Sequence, residues 1–232
     1  MTTSTPVIES RCCGEDHRFT AWNFSNSKRI LDFVSAAFAL ALASPVILLT
    51  GIAVKLGSQG PVLFKQTRLG RNGKPFQIMK FRTMYSSGGG PKVTRGGDSR
   101  ITAIGRVLRK AKLDELPQLV NVLRGDMSLV GPRPEVPEYA KLAPELHALS
   151  SLRPGITGWA TLHFRNEQEV LASVPEPDLV HYYLTELLPR KAKLDSEYAT
   201  RASFRNDLRV IISTFFHHQT TVGSITRSAS CG

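Results

Sequence analysis

The chain has 232 residues and carries a formal net charge of +11 at pH 7. That length suffices for one domain with a hydrophobic core, or for such a domain with a membrane anchor. The positive charge favours an anionic partner, which leaves nucleic acid, an anionic membrane surface or a phosphorylated small molecule. Zinc-finger spacing, an RNA-recognition string and a continuous basic helix are all missing from the sequence, so we expect no nucleic-acid partner.

The two ends of the sequence are predicted to be tails. Residues 1–26 are polar and aperiodic, and residues 221–232 form a second short tail. The cysteines, Cys12, Cys13 and Cys231, fit neither a disulfide framework nor a metal site, so we expect free thiols. No small-residue cleavage pattern follows the first apolar run, which argues against a signal peptide.

The first apolar run is long enough to enter a membrane. Between Asp32 and Lys55 about 22 residues carry no charge, and one helix of that length just crosses a hydrocarbon core. Basic residues flank both ends, however, and the positive-inside rule places such flanks in the cytoplasm. Pro45 disrupts a straight helix, while Ser44 can bond a carbonyl that the proline frees. Residues 27–56 therefore predict either a re-entrant helical hairpin broken at Ser44-Pro45 or a kinked helix that crosses the membrane.

A β-hairpin is predicted directly after this run. Two short strand-like segments, one containing Val62 and the other Phe81, lie on either side of Asn72-Gly73. That dipeptide is the strongest local indication of a type I′ turn. The following segment, residues 86–98, contains five glycines and predicts a flexible loop. It is not a Walker loop, because no Gly-Lys-Ser/Thr closes it.

Two helices joined by a turn are predicted next. Thr102 can cap the first helix and Asp114 the second, in which Pro117 is tolerated at the first turn. The apolar positions expected to face the core are Ile104, Val107 and Leu108 in the first helix and Leu116, Leu119, Val120 and Leu123 in the second.

A last helix with an apolar face is predicted in the string FRNDLRVIISTFFHH, residues 204–218. Arg205 and Arg209 lie beside that face, which suits a helix at the membrane interface as well as one packed on the core. The apolar residues are Leu208, Ile211, Ile212, Phe215 and Phe216.

The adjacent acids Asp114 and Glu115 are the main candidates for chemistry. A carboxylate at a helix start among cations stays ionised and can attack phosphorus. A second carboxylate beside it can hold Mg²⁺, and arginines such as Arg109 and Arg133 offer forked donors to phosphate. Capping of the following helix is the structural alternative for the acidic pair.

Four strings resemble the bacterial sugar transferases, that is, the monotopic phosphoglycosyl transferases or polyprenyl-phosphate hexose-1-phosphate transferases. The match runs in family order from about Lys28 to Ala160 and continues more weakly to about residue 216. The strings are KRILDFVSAAFALALASPVILL, GPVLFKQTRLGRNGKPFQIMKFRTM, LDELPQLVNVLRGDMSLVGPRPE and RPGITGWA.

The resemblance implies an enzyme on the cytoplasmic face of the bacterial inner membrane. Such enzymes move a sugar-1-phosphate from a UDP-sugar to polyprenyl phosphate, such as undecaprenyl phosphate, and release UMP. This is the first membrane step in making exopolysaccharide, O-antigen lipopolysaccharide or other glycoconjugates. A homodimer is a further expectation, whereas the sugar and the glycan pathway are left open.

The resemblance also implies roles for single residues. Asp114 resembles the nucleophile that forms a covalent phosphosugar intermediate, Glu115 resembles its partner, and both are expected to bind the Mg²⁺ cofactor. Ser44-Pro45 matches the break of a re-entrant helix, which favours that topology over a crossing. The residues matching phosphate- or substrate-binding positions are Arg109, Arg133, Lys80 and Arg82.

The expected fold is α+β and mostly helical. A re-entrant membrane helical hairpin, residues 27–56, precedes a small cytoplasmic catalytic domain, residues 57–220, with a short β-hairpin and interfacial amphipathic helices. The region 161–200 departs from the family pattern, and we assign no catalytic role to His163 within it. The competing function is a membrane-anchored basic module that binds anionic lipid or a partner protein without catalysis.

Overall fold

The structure is a computed structural model that describes residues 19–85 and 90–216. The three cysteines, the C-terminal tail and most of the N-terminal tail lie outside the described residues. Residues 20–24, assigned to a tail from the sequence, are instead tied to the domain. The backbone N–H of Thr20 donates to the carbonyl of Ala199 (3.2 Å), and the indole of Trp22 donates to Asp207 (2.9 Å).

The first helix, α1 (Asn26–Gly57), contains the whole apolar run. It begins at Ser25, whose side chain accepts a hydrogen bond from the backbone of Lys28. The sequence predicted a break at Ser44-Pro45, but the helix continues through both residues. Pro45 cannot donate to the carbonyl of Ala41, and the Ser44 hydroxyl donates to that oxygen instead (2.8 Å), which lets the helix continue.

α1 packs on the rest of the protein mainly near its two ends. Asp32 and Ala36 are buried near its start, and Thr50 and Val54 near its end. Most other side chains are exposed and apolar, and among the described residues α1 is the one helix long and apolar enough to cross a membrane. These exposed residues are Ile30, Phe33, Val34, Phe38, Leu42, Val46, Leu48, Leu49, Ile52 and Leu56.

The predicted hairpin is confirmed. Strands β1 (Leu63–Leu69) and β2 (Pro75–Phe81) pair antiparallel, so that the last residue of β1 faces the first of β2. Asn72 (φ 58°) and Gly73 (φ 68°) form the turn, and both left-handed conformations are those that a type I′ turn requires.

The two predicted helices are α2 (Ala103–Lys110) and α3 (Gln118–Arg124). The Thr102 hydroxyl accepts a hydrogen bond from the Gly105 backbone, which confirms the predicted cap of α2. Val107, expected in the core, is 66% exposed, because only one narrow side of the short α2 faces the protein. α3 ends at Gly125, whose φ of 90° favours glycine at that position.

A parallel strand pair follows, which the sequence analysis did not predict. β3 (Ser128–Val130) and β4 (Gly155–Thr157) are three residues each, too short to give a periodic pattern. Gly131 and Gly155 allow the two backbones to approach, since a Cβ on Gly155 would lie 2.2 Å from the nitrogen of Gly131. This contact fixes the loop that follows β3 against the start of β4.

The C-terminal half is helical. Its largest apolar cluster includes Val136, Leu171, Leu179 and Leu187. A π-helical turn at residues 183–187 joins two of the helices. The helices are α4 (Pro137–Ala140), α5 (Trp159–His163), α6 (Glu167–Ala172), α7 (Leu179–Tyr182), α8 (Leu188–Ala199) and α9 (Phe204–Phe216).

Two described members of the apolar face predicted for α9, Leu208 and Ile212, are exposed, and a third, Ile211, is partly buried. Phe204 is also half exposed, whereas Asp207 and Val210 are buried. The side chains of residues 215 and 216 lie outside the described part. The exposed stripe favours the interfacial interpretation of α9 over packing on the core. Within the described residues, the predicted α+β, mostly helical fold is confirmed in outline.

Candidate active site

A cavity of about 860 Å³ brings the predicted site residues together. Its walls come from the end of β2, from α2, from the turn before α3, from the loop after β3 and from the start of the helical half. Asp114, Glu115, Arg109, Arg133, Lys80 and Arg82 all line it. Ser44 and Pro45 do not, because they lie in the middle of α1.

Asp114 lies in a 3₁₀ turn, Leu113–Glu115, between α2 and α3. It does not cap α3, because Pro117 occupies the cap position and no side chain bonds there. Asp114 is 8% exposed, and its Oδ1 has no hydrogen-bond partner among the described residues. The capping interpretation of this acid is therefore wrong, and one buried carboxylate oxygen is left without a hydrogen-bond partner in the described part of the chain.

Burial sets the protonation of Asp114. Burial is the largest cause that raises the pKa of Asp114, and the negative charge of Glu115 is the second. The charges of Lys80, Arg109 and Lys112 lower that pKa. The net direction is upward, contrary to the sequence-based expectation that surrounding cations dominate. An anionic oxygen with little solvation and no donor is a more reactive nucleophile than a solvated one.

The pKa of Glu115 is shifted in the opposite direction to that of Asp114. The Oε1 of Glu115 accepts from the ammonium of Lys80 (2.8 Å) and the guanidinium of Arg133 (3.2 Å). Burial alone would raise the pKa of Glu115, but the charges of Lys80 and then Arg133 outweigh it and hold that pKa well below its ordinary value. The same pairing raises the pKa of Arg133, whereas burial lowers the pKa of Lys80. Glu115 is thus a fixed anion that joins two cations.

Arg109 is held differently. Its Nε donates to the hydroxyl of Thr83 (2.9 Å), the residue that follows Arg82. Burial lowers the pKa of Arg109, and the charge of Asp114 is the largest influence that raises it. Arg109 lines the cavity, and no carboxylate forms an ion pair with it within the described chain.

Sequence reasoning missed a polar cluster at the wall behind Arg133. Glu135 accepts hydrogen bonds from Tyr183 (2.6 Å), Arg68 (3.2 Å) and the backbone of Val136 (2.9 Å). Burial and then Glu135 raise the pKa of Tyr183, which keeps its hydroxyl a donor. These contacts hold the loop that carries Arg133. Tyr183 is 48 residues from Glu135, so no local spacing could have indicated the pair.

Asp195 was also missed. This buried residue of α8 accepts a hydrogen bond from the backbone of Ala160 (3.0 Å). Burial raises the pKa of Asp195 to about 6, although backbone N–H groups of Ala160 and Arg133 act against the shift. Asp195 therefore ties α8 to the start of α5 and to the Arg133 loop. It lies in the region that departs from the family pattern, so the sequence contained no signal for it.

The residues of the cavity fit a Mg²⁺ ion that the protein and the substrate bind together. The described part of the chain holds no group of three or more His, Cys, Asp or Glu side chains that could bind a metal alone. Mg²⁺ is typically bound by one or two carboxylates together with substrate phosphates and water. Asp114, which forms no ion pair among the described residues, offers one such carboxylate, whereas Glu115 already binds two cations.

The charge of the cavity suits a polyanion. Eleven basic side chains line it against four carboxylates, so bound phosphates would be strongly attracted. Apart from Asp114 and Glu115, the carboxylates are Glu135 and Glu167, and both pair with cations. The basic residues are Lys65, Arg68, Lys80, Arg82, Lys92, Arg100, Arg109, Lys112, Arg133, Arg165 and Lys191.

Comparison with known proteins identifies similar sequences across most of the chain. A family model described as bacterial sugar transferase matches residues 23–221. The UDP-glucose:undecaprenyl-phosphate glucose-1-phosphate transferase of Caulobacter vibrioides is 44% identical over 194 residues, which is 81% of this chain and 67% of that protein.

Two further relatives show how much of each protein is shared. The enzyme of the same name from Escherichia coli is 38% identical, over 82% of this chain but only 39% of its own length. A sugar transferase of Bacillus subtilis described as uncharacterized, EpsL, is 39% identical over 81% of this chain and 84% of its own length. The chain therefore spans less than half of the Escherichia coli protein and most of the Bacillus one.

Proposed function

The chain belongs to the bacterial sugar transferase family, and from this premise we propose that it transfers a sugar-1-phosphate from a UDP-sugar to polyprenyl phosphate. One observation carries the proposal. Asp114 lines a strongly cationic cavity, and one of its buried carboxylate oxygens has no hydrogen-bond partner among the described residues. Such an oxygen is suited to attack phosphorus.

In the first step an oxygen of Asp114 attacks the sugar-bearing phosphorus of the UDP-sugar. A bond forms between that oxygen and the phosphorus, and the bond from the phosphorus to the bridging oxygen breaks. UMP leaves with the bridging oxygen and its electron pair. The product on the protein is an acyl phosphate that carries the sugar.

In the second step a phosphate oxygen of the polyprenyl phosphate attacks the phosphorus of that adduct. The bond between the Asp114 oxygen and the phosphorus breaks, and the electron pair returns to the carboxylate. The lipid leaves as a diphosphate sugar, and Asp114 is regenerated. Asp114 thus divides one transfer between two anions into two separate displacements.

The cations around the pair stabilise the phosphate charge. Lys80 and Arg133 are held in place by Glu115, so their donors are oriented before a substrate arrives. Arg109 presents unpaired donors beside Asp114. Mg²⁺, bound by Asp114 and with Glu115 close by, would neutralise charge on the transferred phosphate.

UDP-glucose is the donor to assay first, because the Caulobacter vibrioides and Escherichia coli relatives are named for it. Another relative, from Aeromonas hydrophila, is named for UDP-N-acetylgalactosamine, so the donor panel must include acetamido sugars. The product would begin a lipid-linked glycan such as an exopolysaccharide or lipopolysaccharide chain, and a homodimer is part of the same proposal.

Purified protein with Mg²⁺, undecaprenyl phosphate and one UDP-sugar of the panel should release UMP. Sustained release of UMP should require the lipid. It should stop when Mg²⁺ is chelated. A basic module without catalysis would bind anionic vesicles in a salt-dependent manner and release no UMP with any donor. That result would contradict the proposed function.

We propose that α1 enters the inner membrane from the cytoplasmic side, bends at Pro45 while it stays helical, and returns to the same side. At its start Arg29 donates to the carbonyls of Val122 (2.7 Å) and Leu123 (2.9 Å). Near its end Val54 packs in one cluster with Phe81. A helix that crossed the bilayer would place these two ends about 30 Å apart on opposite faces, where one domain could not contact both.

The topology predicts that tags at both chain ends report the same side of the membrane. Accessibility of each tag to a membrane-impermeant reagent should be low in intact spheroplasts and high after lysis. A control chain in which residues 27–56 are replaced by an ordinary spanning helix should report opposite sides. Opposite sides for the natural chain would contradict the re-entrant proposal.

A further inference from the structure

Arg82 carries a buried charge that the protein leaves partly unpaired. The side chain is 5% exposed, and its Nε and NH1 have no hydrogen-bond partner among the described residues. Only NH2 is bonded, to the carbonyl and hydroxyl of Ser58 (2.6 and 3.0 Å) and to the carbonyl of Val54 (3.3 Å). Buried donors of this kind are costly unless a ligand completes them.

The position of Arg82 connects the cavity to the membrane helix. Val54 lies in the last turns of α1 and Ser58 follows its end, so NH2 is fixed to the point where the helix leaves the apolar run. Arg82 also lines the cavity that holds Asp114. A ligand at Arg82 therefore lies next to the end of α1, in the cavity that Asp114 also lines.

The cations around the acidic pair fall into two groups. Lys80 and Arg133 form ion pairs with Glu115. Arg82 and Arg109 form no ion pair within the described residues, and they are joined through Thr83, which accepts from Arg109 and follows Arg82 in the chain. One group is neutralised by the protein, and the other lacks an anion.

We infer that Arg82, with Arg109, binds the phosphomonoester of the polyprenyl acceptor, whereas Lys80 and Arg133 bind the donor diphosphate. This inference rests on the proposed function. A lipid acceptor enters from the bilayer, so its phosphate reaches the cavity at the end of α1, where Arg82 is fixed. A soluble nucleotide has no need of a contact with that helix. The forked donors of two arginines match the three oxygens of a terminal phosphate.

This arrangement assigns Arg82 to the second displacement. It holds the lipid phosphate while one of its oxygens forms a bond to the phosphorus of the adduct. The bond from that phosphorus to the Asp114 oxygen then breaks, with the electron pair returning to the carboxylate. The first displacement, in which UMP leaves, does not involve the acceptor and so does not require the Arg82 contact.

The two steps can be measured separately with Arg82→Lys, which keeps the charge but loses the fork. The first step is followed as the burst of UMP released from UDP-sugar without lipid, and the second as loss of the adduct after undecaprenyl phosphate in nanodiscs is added. We expect the burst rate to change by less than about threefold. The second step should be slowed at least about tenfold, with a raised KM for the lipid.

Arg106→Gln is the matched control, because Arg106 is an exposed cation of α2 that does not line the cavity. It should leave both steps unchanged. Arg82→Gln provides a stronger test if its thermal unfolding midpoint remains near that of the natural chain. Should it unfold, the retained burst of Arg82→Lys itself reports an intact site.

Three results would overturn the assignment. Equal slowing of both steps in Arg82→Lys would mean that Arg82 serves the donor, and no slowing of either would mean that it only fixes the end of α1. Weaker inhibition by inorganic phosphate with an unchanged KM for the lipid would indicate a site for free phosphate. A natural chain that releases no UMP would instead contradict the proposed function, and the acceptor site with it.

Discussion

Replacement of Asp114 by Asn should lower the rate of UMP release by at least about 10³-fold. The amide has nearly the same shape, so the turn between α2 and α3 should persist. It lacks the anionic oxygen that forms the bond to phosphorus. Because Asp114 is buried with an unpartnered oxygen, removal of its charge should also leave the protein at least as stable as before.

The stability measurement distinguishes this role from a structural one. A capping aspartate would lose stability when replaced by Ala, whereas a buried nucleophile without a hydrogen-bond partner would not. Glu145→Gln, a change at an exposed acid outside the cavity, is the control and should retain full activity. Turnover within tenfold of the natural rate in Asp114→Asn would refute the assigned nucleophile.

Replacement of Glu115 by Gln should reduce both activity and stability. The change removes the anion that Lys80 and Arg133 share and leaves the partly buried Lys80 without its ion-pair partner. We expect a fall of about 3 kcal/mol in the free energy of unfolding, since loss of one partner of a buried ion pair is strongly destabilising. We also expect UMP release to fall about 100-fold, because the donors that stabilise the transferred phosphate lose their fixed orientation.

A double variant separates the two effects. Glu115→Gln combined with Lys80→Met removes the uncompensated cation and should recover part of the stability, but not the activity. Chemical denaturation and UMP release measured on the same samples give both values. Suppose that Glu115→Gln unfolded at the same denaturant concentration as the natural chain and released UMP at the same rate. The structural account of this pair would then be wrong.

Local patterns predicted the local elements well. Asn72-Gly73 predicted the hairpin turn, and Thr102 predicted the start of α2, because each signal depends only on the residues beside it. The acidic pair was found in the same way. The same cavity is lined by two cations that are close to the pair in the sequence, Arg109 and Lys112. It is also lined by two cations that the family resemblance assigned to the site, Lys80 and Arg133.

The remaining features depend on contacts between distant parts of the chain. The bond from Tyr183 to Glu135 and the burial of Asp195 arise only when the helical half packs on the Arg133 loop. The strand pair β3–β4 is held by backbone approach rather than by a side-chain pattern. Sequence periodicity contains none of this information.

Two errors have a common physical cause. Val107 was assigned to the core and Asp114 to a cap, because each fits the average behaviour of its residue type in a helix. In the structure Val107 is exposed and Asp114 is buried without a partner. Departures of this kind from local expectation often mark surfaces or sites with a function.

The most direct test of the covalent mechanism uses the donor alone. The protein is incubated with Mg²⁺ and UDP-sugar without lipid, quenched, digested and analysed by mass spectrometry. The account predicts a sugar phosphate on the peptide that contains Asp114, and its disappearance when polyprenyl phosphate is added before the quench. An adduct on another residue, or transfer to the lipid with no adduct at any time, would contradict it.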